Sequence, residues 1–140
     1  MPAIEQSPQQ PHNQKALLAE DDSLIRELVS TYLRTLGYDV LEASNGRDAI
    51  ELLNDGHTGR LDLIVTDLVM PKASGETIIK QARERGVCNR FLVMSGNPID
   101  PMSHATAPSK GSEYIEKPFS FGDFEAKLHS LETRPIAQEA

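Results

Sequence analysis

The run LLAEDDSLIREL, residues 17–28, sets Glu20, Asp21 and Asp22 side by side directly after apolar residues. Like charges repel, and taking a carboxylate out of water is costly unless something compensates. Three other polar groups close apolar runs in the same way. They are Asp67 at the end of LDLIVTD, Ser95 at the end of FLVMS and Lys117 just after EYIE. Carboxylates without His or Cys select a hard divalent ion, Mg²⁺ with Mn²⁺ as its substitute, and Mg²⁺ takes few protein carboxylates and keeps waters. A metal-bound carboxylate beside an amine and a hydroxyl is a place for a phosphoryl group, whose charge the ion and the lysine share. Aspartate can itself be the nucleophile there and carry the group as an aspartyl phosphate.

For these groups to meet, separated segments must end at one place. KALLAE, YDVLEA, LDLIVTDL, FLVMS and EYIE read as strands. LDLIVTDL is β-branched and apolar without alternation, as a strand covered on both faces should be. Between the strands lie helical patterns. Ile25, Leu28, Val29, Tyr32 and Leu36 recur at helical spacing, and Gly37 stops that helix. Ser44 or Asn45 caps a helix carrying Ile50 and Leu53, and another runs from about Ser74 to Arg85 before Gly86. Phe121, Phe124, Leu128 and Leu131 mark a last amphipathic helix with Ser120 as its cap. Residues 96–112 resist the pattern, because Pro98, Pro101 and Pro108 limit the helix expected there to about two turns.

This alternation predicts an α/β fold, a parallel sheet with helices on both faces and right-handed crossovers. In a doubly wound sheet, ligands bind beyond the carboxyl ends of the strands. Those ends carry Glu20 and Asp21, then Asp67, then Ser95, then Glu116, Lys117 and Pro118. Two acids, a third carboxylate, a hydroxyl and an amine therefore project at one edge.

Composition sets the outer bounds. The 140 residues suit one domain, and 39% apolar with 25% charged content is ordinary for a globular chain. A net charge of −7 without any basic cluster argues against nucleic acid as the partner. No apolar run approaches the ~20 residues that span a bilayer, so no membrane partner is expected. The start MPAIEQSPQQPHNQ has no signal-peptide pattern, and the lone Cys88 suits a reducing compartment, so the expected location is cytoplasmic. Residues 1–14 and 133–140 read as flexible tails around a domain at 15–132.

The motifs LLAEDDSLIRELV, IVTDLVMP with Gly75 after it, FLVMSGN and YIEKPF resemble those of the response-regulator receiver domain of two-component signalling. They stand in the family's order over about Lys15 to Leu131. The resemblance implies a flavodoxin-like five-stranded sheet of order 2-1-3-4-5. It also implies a sensor histidine kinase or a histidine phosphotransfer protein as phosphoryl donor. By position, Asp67 resembles the phosphoacceptor, Asp21 the direct Mg²⁺ ligand, and Glu20 the acid that acts largely through water. The Val69 main-chain carbonyl matches the remaining protein ligand. Ser95 resembles the switch hydroxyl, Tyr114 the aromatic that follows it inward, and Lys117 the amine that bridges to the phosphoryl oxygens. The Lys117–Pro118 bond is expected to be cis.

Each residue also has a plainer reading. Asp67 alone is equally a solvated carboxylate at a strand end, and Tyr114 equally a core aromatic. Asp22 is better explained as a helix cap, favoured by the positive helix N-terminus. His57, His104 and His129 are isolated, and Cys88 reads as structural. Val69 and Asn97 occupy the family's positions that tune self-hydrolysis, and Lys72, Ala73 and Ser74 replace the acidic residue often found before the glycine. The expected function is a phosphorylation-dependent switch, not an enzyme acting on other molecules. It would be a stand-alone receiver, a relay, or the receiver of a hybrid kinase. The alternatives are a Mg²⁺-dependent phosphohydrolase with an aspartyl-phosphate intermediate and a degenerate receiver that only binds a partner. Val69 stands where such a hydrolase carries its second acid, which counts against the first.

Overall fold

The computed structural model describes residues 14–96 and 111–133. The readings of tails at 1–13 and 134–140, and of the helix within 97–110, lie outside those residues. The elements run in strict alternation at first. They are β1 (Gln14–Ala19), α1 (Ser23–Thr35), β2 (Tyr38–Ala43), α2 (Gly46–Asn54), β3 (Leu63–Asp67), α3 (Gly75–Arg85) and β4 (Phe91–Ser95). β5 (Ser112–Glu116) and α4 (Phe121–Glu132) complete the described chain. The five strands form one parallel sheet in the order β2-β1-β3-β4-β5.

The sheet is buried on both faces, which is why its central strands show no polar alternation. Successive side chains point to opposite sides. Leu17, Ile64, Phe91 and Val93 face Ala49, Leu53, Ile78 and Ala82 of α2 and α3. Leu18, Leu63, Val65, Leu92 and Met94 face Val29 and Leu33 of α1 and Phe124, Leu128 and Leu131 of α4. Tyr32 of α1 meets Phe121 and Phe124 edge-on or tilted, joining the two helices on that face.

Helix starts are set by side chains that satisfy orphan amides. Asp22 accepts from the amides of Leu24 and Ile25, Asn45 from Asp48, and Ser74 from Thr77. Ser120 and Asp123 form a capping box. Asp22 is thus the cap it was read to be. Leu28 lies on α1, as the spacing predicts, but outside its buried face. It is 45% exposed, and Leu24 beside it 76%, while Ile25, Val29, Tyr32, Leu33 and Leu36 make the inward stripe. At about 100° per residue, Leu28 lies just past the edge of the face that Ile25 and Val29 share.

Cys88 is fully buried, and its thiol donates to the Arg90 carbonyl at 3.3 Å. Burial pushes the thiol up from 9.0 to about 11. A raised thiol contributes stability below its unfolded value, and that contribution is lost as pH rises through about 11. Iodoacetamide near neutral pH should therefore leave Cys88 unmodified in the folded chain and alkylate it fully in denaturant. Mass spectrometry with and without urea checks this; rapid alkylation of folded protein would contradict the buried thiol. No helix among the described residues is long and apolar enough to cross a membrane.

Candidate functional site

Parallel strands deliver their carboxyl ends to one edge, and the register aligns those ends. Ala19 pairs with Thr66, Asp67 with Met94, and Ser95 with Glu116. Glu20 therefore emerges beside Asp67, and Lys117 beside Ser95. The Lys117 amide donates to the Ser95 carbonyl at 2.7 Å, carrying the pairing one residue past β5. The following Lys117–Pro118 bond is cis, as expected.

One carboxylate oxygen from each of Glu20, Asp21 and Asp67 lies within 4.8 Å of the others. Glu20 is wholly buried, Asp67 nearly so, and Asp21 is open to solvent. Lys117 reaches across them: its Nζ donates to Glu20 Oε1 at 2.9 Å and to Asp67 Oδ2 at 3.1 Å. Asp22 also contributes here, its amide donating to Glu20 Oε2 at 3.0 Å. So part of the answer to the repulsion posed by the acidic run is the chain's own lysine.

The proton affinities follow from these contacts. Burial raises Glu20 above the usual carboxylate value; the Asp22 amide and the Lys117 ammonium oppose it, and the charge of Asp67 adds to it. Burial alone would lower Lys117. Its hydrogen bond to Glu20 and the charge of Asp67 outweigh that and hold the amine above its ordinary range.

Ser95 closes β4 and is buried, where it was expected. Tyr114 is half-buried in β5, packed against the sheet face that includes Leu17 and Phe91. Val69 lies two residues past Asp67 with its side chain 69% exposed. His57 is a solvent-exposed partner of Asp55 and lies outside the acidic cluster.

Two glycines hold the loop after Asp67. A Cβ on Gly75 would stand 2.5 Å from the Asp67 carbonyl oxygen, and the Gly75 amide donates to the Leu68 carbonyl at 2.9 Å. A Cβ on Gly46 would stand 2.1 Å from the Ala73 carbonyl oxygen, and the Gly46 amide donates to the Pro71 carbonyl at 3.2 Å. The role of Gly46 escaped the sequence reading. Its only local signal is the Asn-Gly pair that opens α2, which says nothing of a loop 25 residues downstream. Gly75→Ala should cost about 1–3 kcal/mol, as overpacking does, and displace Asp67 itself. Urea melts should show that loss; a variant equal to wild type would show the contact to be slack.

Comparison with known proteins identifies the family. The family model described as the response regulator receiver domain matches residues 16–129. This chain belongs to the response regulator receiver domain family. It is 36% identical over 125 residues to the uncharacterized transcriptional regulatory protein YrkP of Bacillus subtilis (strain 168), covering 89% of this chain and 48% of that protein. Sensor kinase CckA of Brucella abortus (strain 2308) is 31% identical over 104 residues, which are 74% of this chain and 11% of that one. The response regulator protein TrrA of Thermotoga maritima, solved in complex with Mg²⁺ and BeF, superposes with a TM-score of 0.66 at 26% identity. That match covers 84% of this chain and 98% of TrrA. The chain spans about half the length of the curated transcriptional regulators it matches.

The residues present fit a Mg²⁺ ion. The donors are all oxygen, their spacing allows one ion to be shared, and Asp21 opens the cluster to water for the remaining positions.

Proposed function

We propose that this chain is a phosphorylation-dependent signalling switch in which Asp67 accepts a phosphoryl group in a Mg²⁺-dependent reaction. The observation that carries the reading is the single ammonium of Lys117 shared between buried Glu20 and Asp67 at one sheet edge. Glu20, Asp21, Asp67 and the Val69 main-chain carbonyl would hold the ion. When bound, the ion supplies positive charge to the oxygens of the incoming group.

The chain's own residues account for the rest. An Asp67 carboxylate oxygen attacks phosphorus, forming the O–P bond as the donor's P–N bond breaks and the leaving nitrogen keeps the electron pair. Lys117 exchanges its Asp67 oxygen for a phosphoryl oxygen, which costs little because its second partner, Glu20, stays in place. The Ser95 hydroxyl turns to donate to the same group, and Tyr114, on the neighbouring strand, follows the vacated space. The altered partner-binding surface lies around these strand ends. The donor in the cell is a sensor histidine kinase or a histidine phosphotransfer protein, and likeness to part of a sensor kinase supports that class. Mn²⁺ serves in place of Mg²⁺.

The test is an intact mass after incubation with Mg²⁺ and phosphoramidate or acetyl phosphate. A stoichiometric gain of one phosphoryl group is expected. Multiple turnover on a small phosphate ester would replace the switch with a hydrolase. No adduct from any donor would reduce the chain to a binding module.

A further inference from the structure

Asp21 is the exposed member of the acidic cluster, yet its backbone is held on both sides. The peptide before it presents the Glu20 carbonyl, which accepts from Arg26 Nη1 at 2.8 Å. The peptide after it presents the Asp22 amide, which donates to Glu20 Oε2 at 3.0 Å. Glu20 itself is tied to β2 through its amide, which donates to the Ala43 carbonyl at 3.1 Å. With both flanking peptide planes fixed, φ and ψ of Asp21 are fixed, and so is the direction of its side chain.

Arg26 is in turn held by Glu42. Its Nε lies 3.5 Å from Glu42 Oε1, while Glu42 Oε2 accepts from Ser30 Oγ at 3.0 Å and faces Arg34 Nη2 at 3.5 Å. Residues 26, 30 and 34 recur every four positions, so one face of α1 presents all three to a single carboxylate on β2. A guanidinium can do this because its planar fork offers Nε to one acceptor and a terminal nitrogen to another, whereas an ammonium would have to reach both from one nitrogen.

We infer that Arg26, braced by Glu42, is a positioning residue that aims the Glu20–Asp21 pair and so sets the affinity of the cluster for a divalent cation. The inference rests on the acidic cluster holding such an ion, as proposed above. Charge and position make opposite forecasts here. Removing a nearby positive charge favours a cation at an acidic site, whereas freeing the Glu20–Asp21 peptide scatters the ligands.

The experiment is a Mg²⁺ titration of the metal-free chain, followed by the backbone amide shifts of Asp21 and Asp22. Arg26→Ala should weaken Mg²⁺ about tenfold, as loss of a ligand-orienting partner does, despite making the chain more negative. Arg26→Lys, which keeps the charge and one donor nitrogen, should recover part of that loss. Glu42→Gln should weaken binding less than Arg26→Ala. The Asp22 amide should shift in metal-free Arg26→Ala, and urea midpoints of all variants should stay close to wild type, which separates positioning from general destabilisation. Equal or tighter Mg²⁺ binding by Arg26→Ala, with wild type binding normally, overturns this inference alone. A wild-type chain that shows no Mg²⁺-dependent shifts overturns the acidic site and this inference with it.

Discussion

Asp67→Asn is expected to abolish phosphoryl uptake and leave the chain folded. The amide keeps the size and position of the carboxylate at the end of β3 but lacks its nucleophilic charge. Stability should hold or rise slightly, because the charge of Asp67 is among the influences that disfavour ionised Glu20. Lys117 then keeps its shorter contact, 2.9 Å to Glu20. Intact mass after phosphoramidate and Mg²⁺ should show a full adduct on wild type and none on the variant, while unfolding free energies from urea melts agree within about 1 kcal/mol. An adduct that persists in Asp67→Asn would place the acceptor elsewhere.

Lys117→Met should have the largest effect on stability of any single change at this site. It strips the shared cation from two carboxylates, one of them wholly buried. Removing one partner of a buried pair costs about 3–5 kcal/mol, since the remaining charge stays behind uncompensated. In the metal-free chain that cost should appear in full; saturating Mg²⁺ should recover part of it by binding only the folded state. Phosphoryl uptake should fall roughly 10²-fold, the usual effect of losing one positioned charge donor.

The pH dependence of this variant has a definite sign. Glu20 is raised in the folded chain, so its contribution is fully present below its ordinary value of 4.5 and is lost as pH rises through the folded value. Lys117 is among the groups that hold Glu20 down, so its removal raises Glu20 further, which enlarges that loss and extends it to higher pH. Wild type and Lys117→Met should therefore be closest in stability below about pH 4.5 and grow further apart as pH rises toward neutrality. The lysine itself is raised, so in wild type its contribution survives to the ordinary value of 10.5 and disappears only above it. Urea melts without Mg²⁺ across the acid range measure the gap; a gap that narrows toward neutrality would refute the assignment.

Much of the fold was legible because local signals and long-range packing agree. LIVTD of β3 is apolar without alternation and lies buried on both faces. Asp22, Asn45, Ser74 and Ser120 stand at helix starts and cap them. The strand ends named the site residues, and the family resemblance supplied the strand order that sets them side by side. What stayed hidden depends on contacts between distant backbones. Nothing near Gly46 announces the Ala73 carbonyl, and nothing near Arg26 announces that it meets the Glu20 carbonyl on one side and the Glu42 carboxylate on the other. The exposure of Leu28 stayed hidden for a related reason. Apolar spacing identifies a helix, but the exact edge of its buried face depends on what packs against it.

Lys117 stands 97 residues after Glu20 and 50 after Asp67, its two partners. During synthesis both acids leave the ribosome well before the amine that neutralises them. Until β5 docks, the chain's own cation is missing from that edge. A chain ending before β5 would keep both acids and lack the amine that bonds them.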